Sequence, residues 1–234
     1  MTFDLIAQLE IRKRSGSGCV AEGDFCPDWI GDNWDRYVDP FWQHVFLTLA
    51  PVAIGFAIAF TLALIAHRRR WLIGPTAAFT GALYTIPSVA FFFLLQPLTG
   101  RGNTTALVAL VCYTLLIIFR NVITGLAAVP EETKDAARGM GLSDRQLLWR
   151  VEMPLALPEI LAGLRIATTT TVGLAALAFL AGAGGLGAEL EAQPYFRSNV
   201  VVAGGLCILL AATLDLVILA VQRALTPWRR AAAT

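Results

Sequence analysis

Two histidines, four cysteines and one glycine-rich hexad are the residues with which this 234-residue chain might be expected to do bond chemistry. None has the spacing for it. His44 and His67 have no carboxylate or cysteine placed to complete a metal site. A serine–histidine–acid hydrolase needs an imidazole beside a nucleophile, and neither histidine has an evident partner. Gly182-Ala183-Gly184-Gly185-Leu186-Gly187 matches the letters of the dinucleotide fingerprint G-x-G-x-x-G. That fingerprint must follow a strand and open a helix, so that backbone amides meet a pyrophosphate. Here it follows an apolar block and reads as a tight turn, where missing Cβ atoms permit φ > 0 and close backbone approach. No G-x-x-x-x-G-K-[ST] occurs, so the chain has no phosphate-cradling loop of its own. The expectation is a protein with no catalytic residue, no metal and no cofactor of its own.

The elements that carry these residues are membrane helices. Apolar residues make up 56% of the chain and charged residues 15%, against about 25% charge in a soluble domain. The low charge and the lack of a repeat exclude disordered and fibrous classes. A net charge of +1 gives no hint of a polyanionic partner, and no nucleic-acid module is present. The first apolar block begins near residue 41, and residues 1–14 lack a continuous apolar core, so no removable signal peptide is expected.

A helical crossing takes about 20 mainly apolar residues. Five blocks qualify: residues 41–66, 72–98 with Pro87 inside, 105–119 continuing to 126, 158–181 and 199–222. The predicted fold is therefore an all-α polytopic membrane protein with about five spans. With the amino terminus outside, the inner segments hold Arg68, Arg69, Arg70, Arg120, Lys134, Arg138, Arg145, Arg150, Arg223, Arg229 and Arg230. The outer ones hold Arg12, Lys13, Arg14, Arg36, Arg101 and Arg197, and this bias favours amino terminus out and carboxyl terminus in. The expected organisation is an extracytoplasmic acidic segment over residues 1–40, a membrane domain over 41–226 and a cytoplasmic tail over 227–234.

The loop between the third and fourth spans is the informative one. Pro130 suits the first position of a helix, Glu131 and Glu132 complement its positive end, and Gly139 and Gly141 supply the stop. Ser143-Asp144-Arg145-Gln146 has the form of a capping box, so a second helix should run from Asp144 toward Val151 and end before Pro154. Two helices joined at a glycine corner make a rigid elbow. Ala136 and Ala137 are expected to clear one side of it for close approach by another protein.

Asp135-Ala136-Ala137, then Gly141 after three residues, then Val151-Glu152-Met153-Pro154 after nine more, resembles the EAA loop of ABC-importer permeases. It departs from Glu-Ala-Ala, Gly and Ile-x-Leu-Pro by Asp for Glu, Val for Ile and Met for Leu. Thr85-Ile86-Pro87-Ser88, Arg120-Asn121, Trp149-Arg150-Val151-Glu152, Pro154-Leu155-Ala156-Leu157-Pro158 and the glycine hexad are similar to the osmoprotectant subfamily, which imports glycine betaine, carnitine or choline. The likeness covers about residues 85–190 and leaves 1–39 without a counterpart.

The resemblance implies a permease subunit in the cytoplasmic membrane, with ATP and Mg bound by separate ATPase subunits. It implies a second permease chain, identical or homologous, and an extracytoplasmic substrate-binding protein. Coupling to the ATPase falls to Glu132, Asp135, Ala136, Ala137, Arg138, Gly139, Met140, Gly141 and Leu142, within the loop 129–154, with Val151 and Pro154 at the elbow. The alternatives are the same fold importing another small solute such as an amino acid, or an ion-coupled secondary transporter. A membrane-bound assembly subunit that moves no solute is a further class.

Pro87 can bend its helix, with Thr85 and Ser88 near enough to satisfy freed backbone groups. The run from Thr168 to Thr171 puts hydroxyls on every helical face. Pro87, Ser88, Thr168, Thr169 and Thr171 are thus the pathway candidates. Arg165 and Asp215 are ionisable groups within spans, where they either pair or, for Arg165, reach to the interface. Cys19 and Cys26 are placed to bridge if that side is oxidising, whereas Cys112 and Cys207 read as packing residues. Trp29, Trp34, Tyr37, Trp42, Trp71 and Trp228 read as an interfacial belt rather than an aromatic cage.

Overall fold

The computed structural model describes residues 18–228. The expected segments 1–17 and 229–234 lie outside the described residues. Short helices α1 (Gly18–Glu22) and α2 (Pro27–Asp32) precede the rod α3 (Val38–Arg68), followed by α4 (Ile73–Thr85), α5 (Ser88–Thr99) and α6 (Asn103–Ala127). Then come α7 (Glu131–Gly139), α8 (Asp144–Leu147), α9 (Met153–Ala175), α10 (Leu186–Ala192) and α11 (Arg197–Leu225).

The bundle is built around α6, which packs on α3, α4, α5 and α9. Ala59, Ala63 and Ala66 on α3 recur at helical spacing and let that rod lie close to Ile118, Phe119 and Val122 of α6. Met153, Ala156 and Ile160 of α9 close the same core. A second cluster, with Leu47, Phe91, Phe92, Leu110 and Tyr113, fills the other end.

Among the described residues, three helices are long and apolar enough to cross a membrane alone: Trp34–Arg68, Asn103–Ala127 and Arg197–Leu225. The second expected span is not one rod, because Arg70–Thr85 and Ser88–Thr99 meet at 98°. The break sits where a residue preceding proline is pushed out of the helical region, with Ile86 at φ −65°, ψ 127°. Of the two side chains expected to answer freed backbone groups, Thr85 does so at a last-turn carbonyl of α4. Thr85 Oγ1 donates to the Ala82 carbonyl, and Tyr113 of α6 donates to the Ile86 carbonyl at 2.5 Å. The fourth block is also corrected: its helix ends at Ala175, and a 3-10 turn over Ala178–Ala181 carries the rest. Glu159, Arg165 and four threonines interrupt the apolar run of α9, which is not among those three helices.

Arg165 does not reach to the interface; it forms a two-pronged pair with Asp215, Nε to Oδ1 at 2.8 Å and Nη2 to Oδ2 at 2.7 Å. The pair joins α9 to α11. At the opposite end of the chain, Cys19 and Cys26 are disulfide-bonded with Cα atoms 6.0 Å apart. The strap they close grips the α10–α11 corner. The Cys26 amide donates to Ser198 Oγ at 2.7 Å, Tyr37 donates to Asn199 Oδ1 at 2.8 Å, and Arg36 pairs with Glu189 at 2.6 Å. Trp29 stacks edge-on against Phe196, so it is a packing residue, while Trp34, Trp42, Trp71 and Trp228 stay exposed.

Two measurements check these contacts. Asp215→Asn should lower unfolding stability in detergent by about 1 kcal/mol, and a normal melting point would show the pair to be inert. Alkylation of the denatured protein should label Cys112 and Cys207 alone, with Cys19 and Cys26 joining only after reduction.

Candidate functional site

The helix α7 stands apart from the bundle between α6 and α8. Pro130 sits just before it, at φ −58°, ψ 138°, as the cap rather than as the first helical residue. Its far end closes on a Schellman turn. The Leu142 amide donates to the Ala137 carbonyl at 3.2 Å, and the Gly141 amide to the Arg138 carbonyl at 2.9 Å. Gly141 lies at φ +83°, a left-handed position that a Cβ disfavours. The glycine of the loop motif is therefore the residue that turns the chain out of α7.

Ser143 then opens α8, its amide and Oγ both donating to Gln146 Oε1 at 2.9 and 3.1 Å. The second helix does not end before Pro154. It continues through a π-helical turn, Leu148–Glu152, straight into α9. The wider turn redirects the carbonyl that the proline ring would strike, so Pro154 is accommodated inside a continuous rod. Val151 and Pro154 thus lie within a stiff element, and the hinge-like corner is at Met140–Gly141.

The sides of α7 differ from the expectation. Ala137 is 2% exposed and packs on its own chain, so it clears no space for a partner. Glu132, Asp135, Ala136, Arg138 and Gly139 are exposed, and Met140 is 73% exposed. Arg138 pairs with Asp135 along this face, and Leu142 is half-buried.

Beneath α7 is a set of charges that spacing alone did not reveal. Lys134 and Glu152 are each 5% exposed. Lys134 Nζ lies 3.1 Å from Glu131 and 3.9 Å from Glu152, and the hydrogen bond from Lys134 holds the Glu131 carboxyl below its usual range. His67, near the end of α3, donates from Nε2 to Glu152 Oε2 at 2.9 Å. These groups edge a cleft of about 740 Å³ that Arg68, Arg70, Arg138 and Arg145 also line. His67 thus has a carboxylate partner, 85 positions away in sequence. No local signal in the sequence marks this cluster, because its members lie on α3, α7 and the start of the α9 rod.

The pathway candidates divide. Pro87 is exposed at the 98° break and Ser88 is half-buried beside it. Thr168 and Thr171 are buried within the chain, their hydroxyls donating to the carbonyls of Leu164 and Ala167, whereas Thr169 is half-exposed. His44 is buried against the Val172 carbonyl at 3.1 Å, with Cys207 Sγ 3.9 Å away. Among the described residues, no three His, Cys, Asp or Glu side chains are grouped to hold a metal. The glycine hexad is a packed turn. A Cβ on Gly187 would strike the Ala176 carbonyl.

Gly141→Val should strain the corner by about 1–3 kcal/mol. Hydrogen exchange at the Leu142 amide reports it, and unchanged exchange would mean the corner does not depend on glycine.

The chain matches, over residues 41–231, the family described as binding-protein-dependent transport system inner membrane component. It is 37% identical to the osmoprotectant import permease protein OsmW of Salmonella typhimurium, over 84% of this chain and 94% of the relative. It is 32% identical to the glycine betaine/carnitine/choline transport system permease protein OpuCB of Bacillus subtilis, over 79% of this chain and 86% of the relative. Its fold is that of a chain of the inward-facing MetNI methionine ABC transporter, with a TM-score of 0.72 at 23% identity, covering 81% of this chain and 96% of that one. The exposed helix between membrane spans, the break at Pro87 and these likenesses lead to one family: this chain belongs to the inner membrane components of binding-protein-dependent transport systems.

Proposed function

We propose that the chain is the permease subunit of an ATP-driven ABC importer for quaternary-ammonium osmoprotectants of the glycine betaine, carnitine and choline class. The observation that carries the mechanism is α7 itself: a short helix, closed at its far end by the Gly141 turn, that presents Glu132, Asp135, Arg138 and Met140 outward and leads through α8 into α9. Such a knob suits a groove on a separate ATPase, which would bind the ATP and Mg that this chain has no motif to hold. Closure of the ATPase pair would move α7, and the continuous α8–α9 rod would carry that motion to α3 and α6 as rigid-body rocking. On this reading the chain catalyses no reaction.

Three arrangements belong to the same proposal. On this reading α7 lies in the cytoplasm, residues 1–40 outside and the tail 227–234 inside, which the positive-inside bias of the loops supports. A second permease, identical or homologous, completes the pathway, with Pro87, Ser88 and Thr169 the candidates nearest an open face. An extracytoplasmic binding protein delivers the solute, and the names of the relatives support the solute class.

Reconstitution in proteoliposomes with the ATPase and binding protein tests all of it. ATP-dependent uptake of labelled choline, carnitine or glycine betaine is expected, without an imposed ion gradient. Uptake of methionine in their place would reassign the solute. Uptake driven by an ion gradient, with no ATPase present, would overturn the reading.

A further inference from the structure

We infer that Glu152 is the positioning residue that transmits movement of α7 to the membrane helices, through a side-chain triad with Lys134 and His67. The inference rests on the proposal that a partner ATPase moves α7. Of the residues of α7, Lys134 and Ala137 are the buried ones. An alanine methyl offers little surface by which to pull on a neighbour, and Arg138–Asp135 stays within the helix. The grip of α7 on the bundle therefore falls to Lys134.

Its buried partner is well placed to pass force on. Glu152 Oε1 faces Lys134 Nζ at 3.9 Å, and Oε2 accepts from His67 Nε2 at 2.9 Å. One carboxylate thus joins α7, the end of α3 and the rod that becomes α9. Glu152 also ends the π-helical turn Leu148–Glu152, the place in the rod where the hydrogen-bond register changes. Burying a carboxylate and an ammonium is costly, and a helix outside the bundle needs neither for solubility. Holding three elements in register is what the pair contributes.

The test is solute uptake per ATP hydrolysed, measured on the reconstituted complex with its ATPase and binding protein. Glu152→Gln and Lys134→Met should each lower this ratio by about fivefold while the ATPase still co-purifies. Acting as one unit, the double variant should lose no more than the worse single variant. Glu152→Asp should retain most of the ratio. A role in stability alone would reduce the yield of complex and leave the ratio untouched, and that result would overturn the inference. If Glu152→Gln does not assemble, Lys134→Met and His67→Leu read the same ratio from the other two corners, and wild-type values in both would overturn it. Failure of the unsubstituted complex to take up solute on ATP is a different result: it would sink the importer reading, and the triad with it.

Discussion

A peptide group in hydrocarbon has no water to bond, so each break in a membrane helix must be answered by the protein itself. The architecture can be followed as a series of such answers. Where Pro87 splits the second apolar block, Tyr113 takes the orphaned Ile86 carbonyl. Where Pro154 interrupts the second helix of the loop, a π-helical turn absorbs it and the rod continues. Gln96 donates to the Leu180 carbonyl at 2.9 Å beside the 3-10 turn, and Gln222 to the Pro158 carbonyl at 2.9 Å beneath α9. The polar side chains inside this apolar chain are largely spent on backbone, and the bends they permit shape the molecule.

The same constraint explains what sequence could tell. Membrane helices are legible because length and hydropathy are summed properties; α3, α6 and α11 stand out on that basis. The capping signals around α7 are legible too, since Gly141 and Ser143 act on their immediate neighbours. Pro87 marked a bend, but nothing local said that the bend reaches 98° or that a tyrosine 27 positions on would close it. Ala137 was misread for a related reason: a small residue suits an open face and a buried one equally, and the neighbouring helices decide. Lys134 counted in the sequence only as one of the basic residues of an inner loop, and its buried partner Glu152 lies beyond the glycine corner.

Two sets of charged side chains sit where elements must hold a fixed relation. Arg165–Asp215 fixes α9 against α11 with two parallel hydrogen bonds, a geometry that specifies orientation as well as proximity. Lys134, Glu152 and His67 meet where α7, α3 and the α8–α9 rod converge. Apolar packing alone would leave such helices free to slide, since lipid tails solvate them as well as another helix does.

The disulfide-closed strap has a consequence for how the chain is made. Cys26 bonds to Ser198, 172 positions later, and Tyr37 to Asn199, 162 positions later. Cys26 and Tyr37 therefore have no seat until Ser198 and Asn199 have been synthesised. The strap acts as a latch that closes only after the α10–α11 corner exists to receive it.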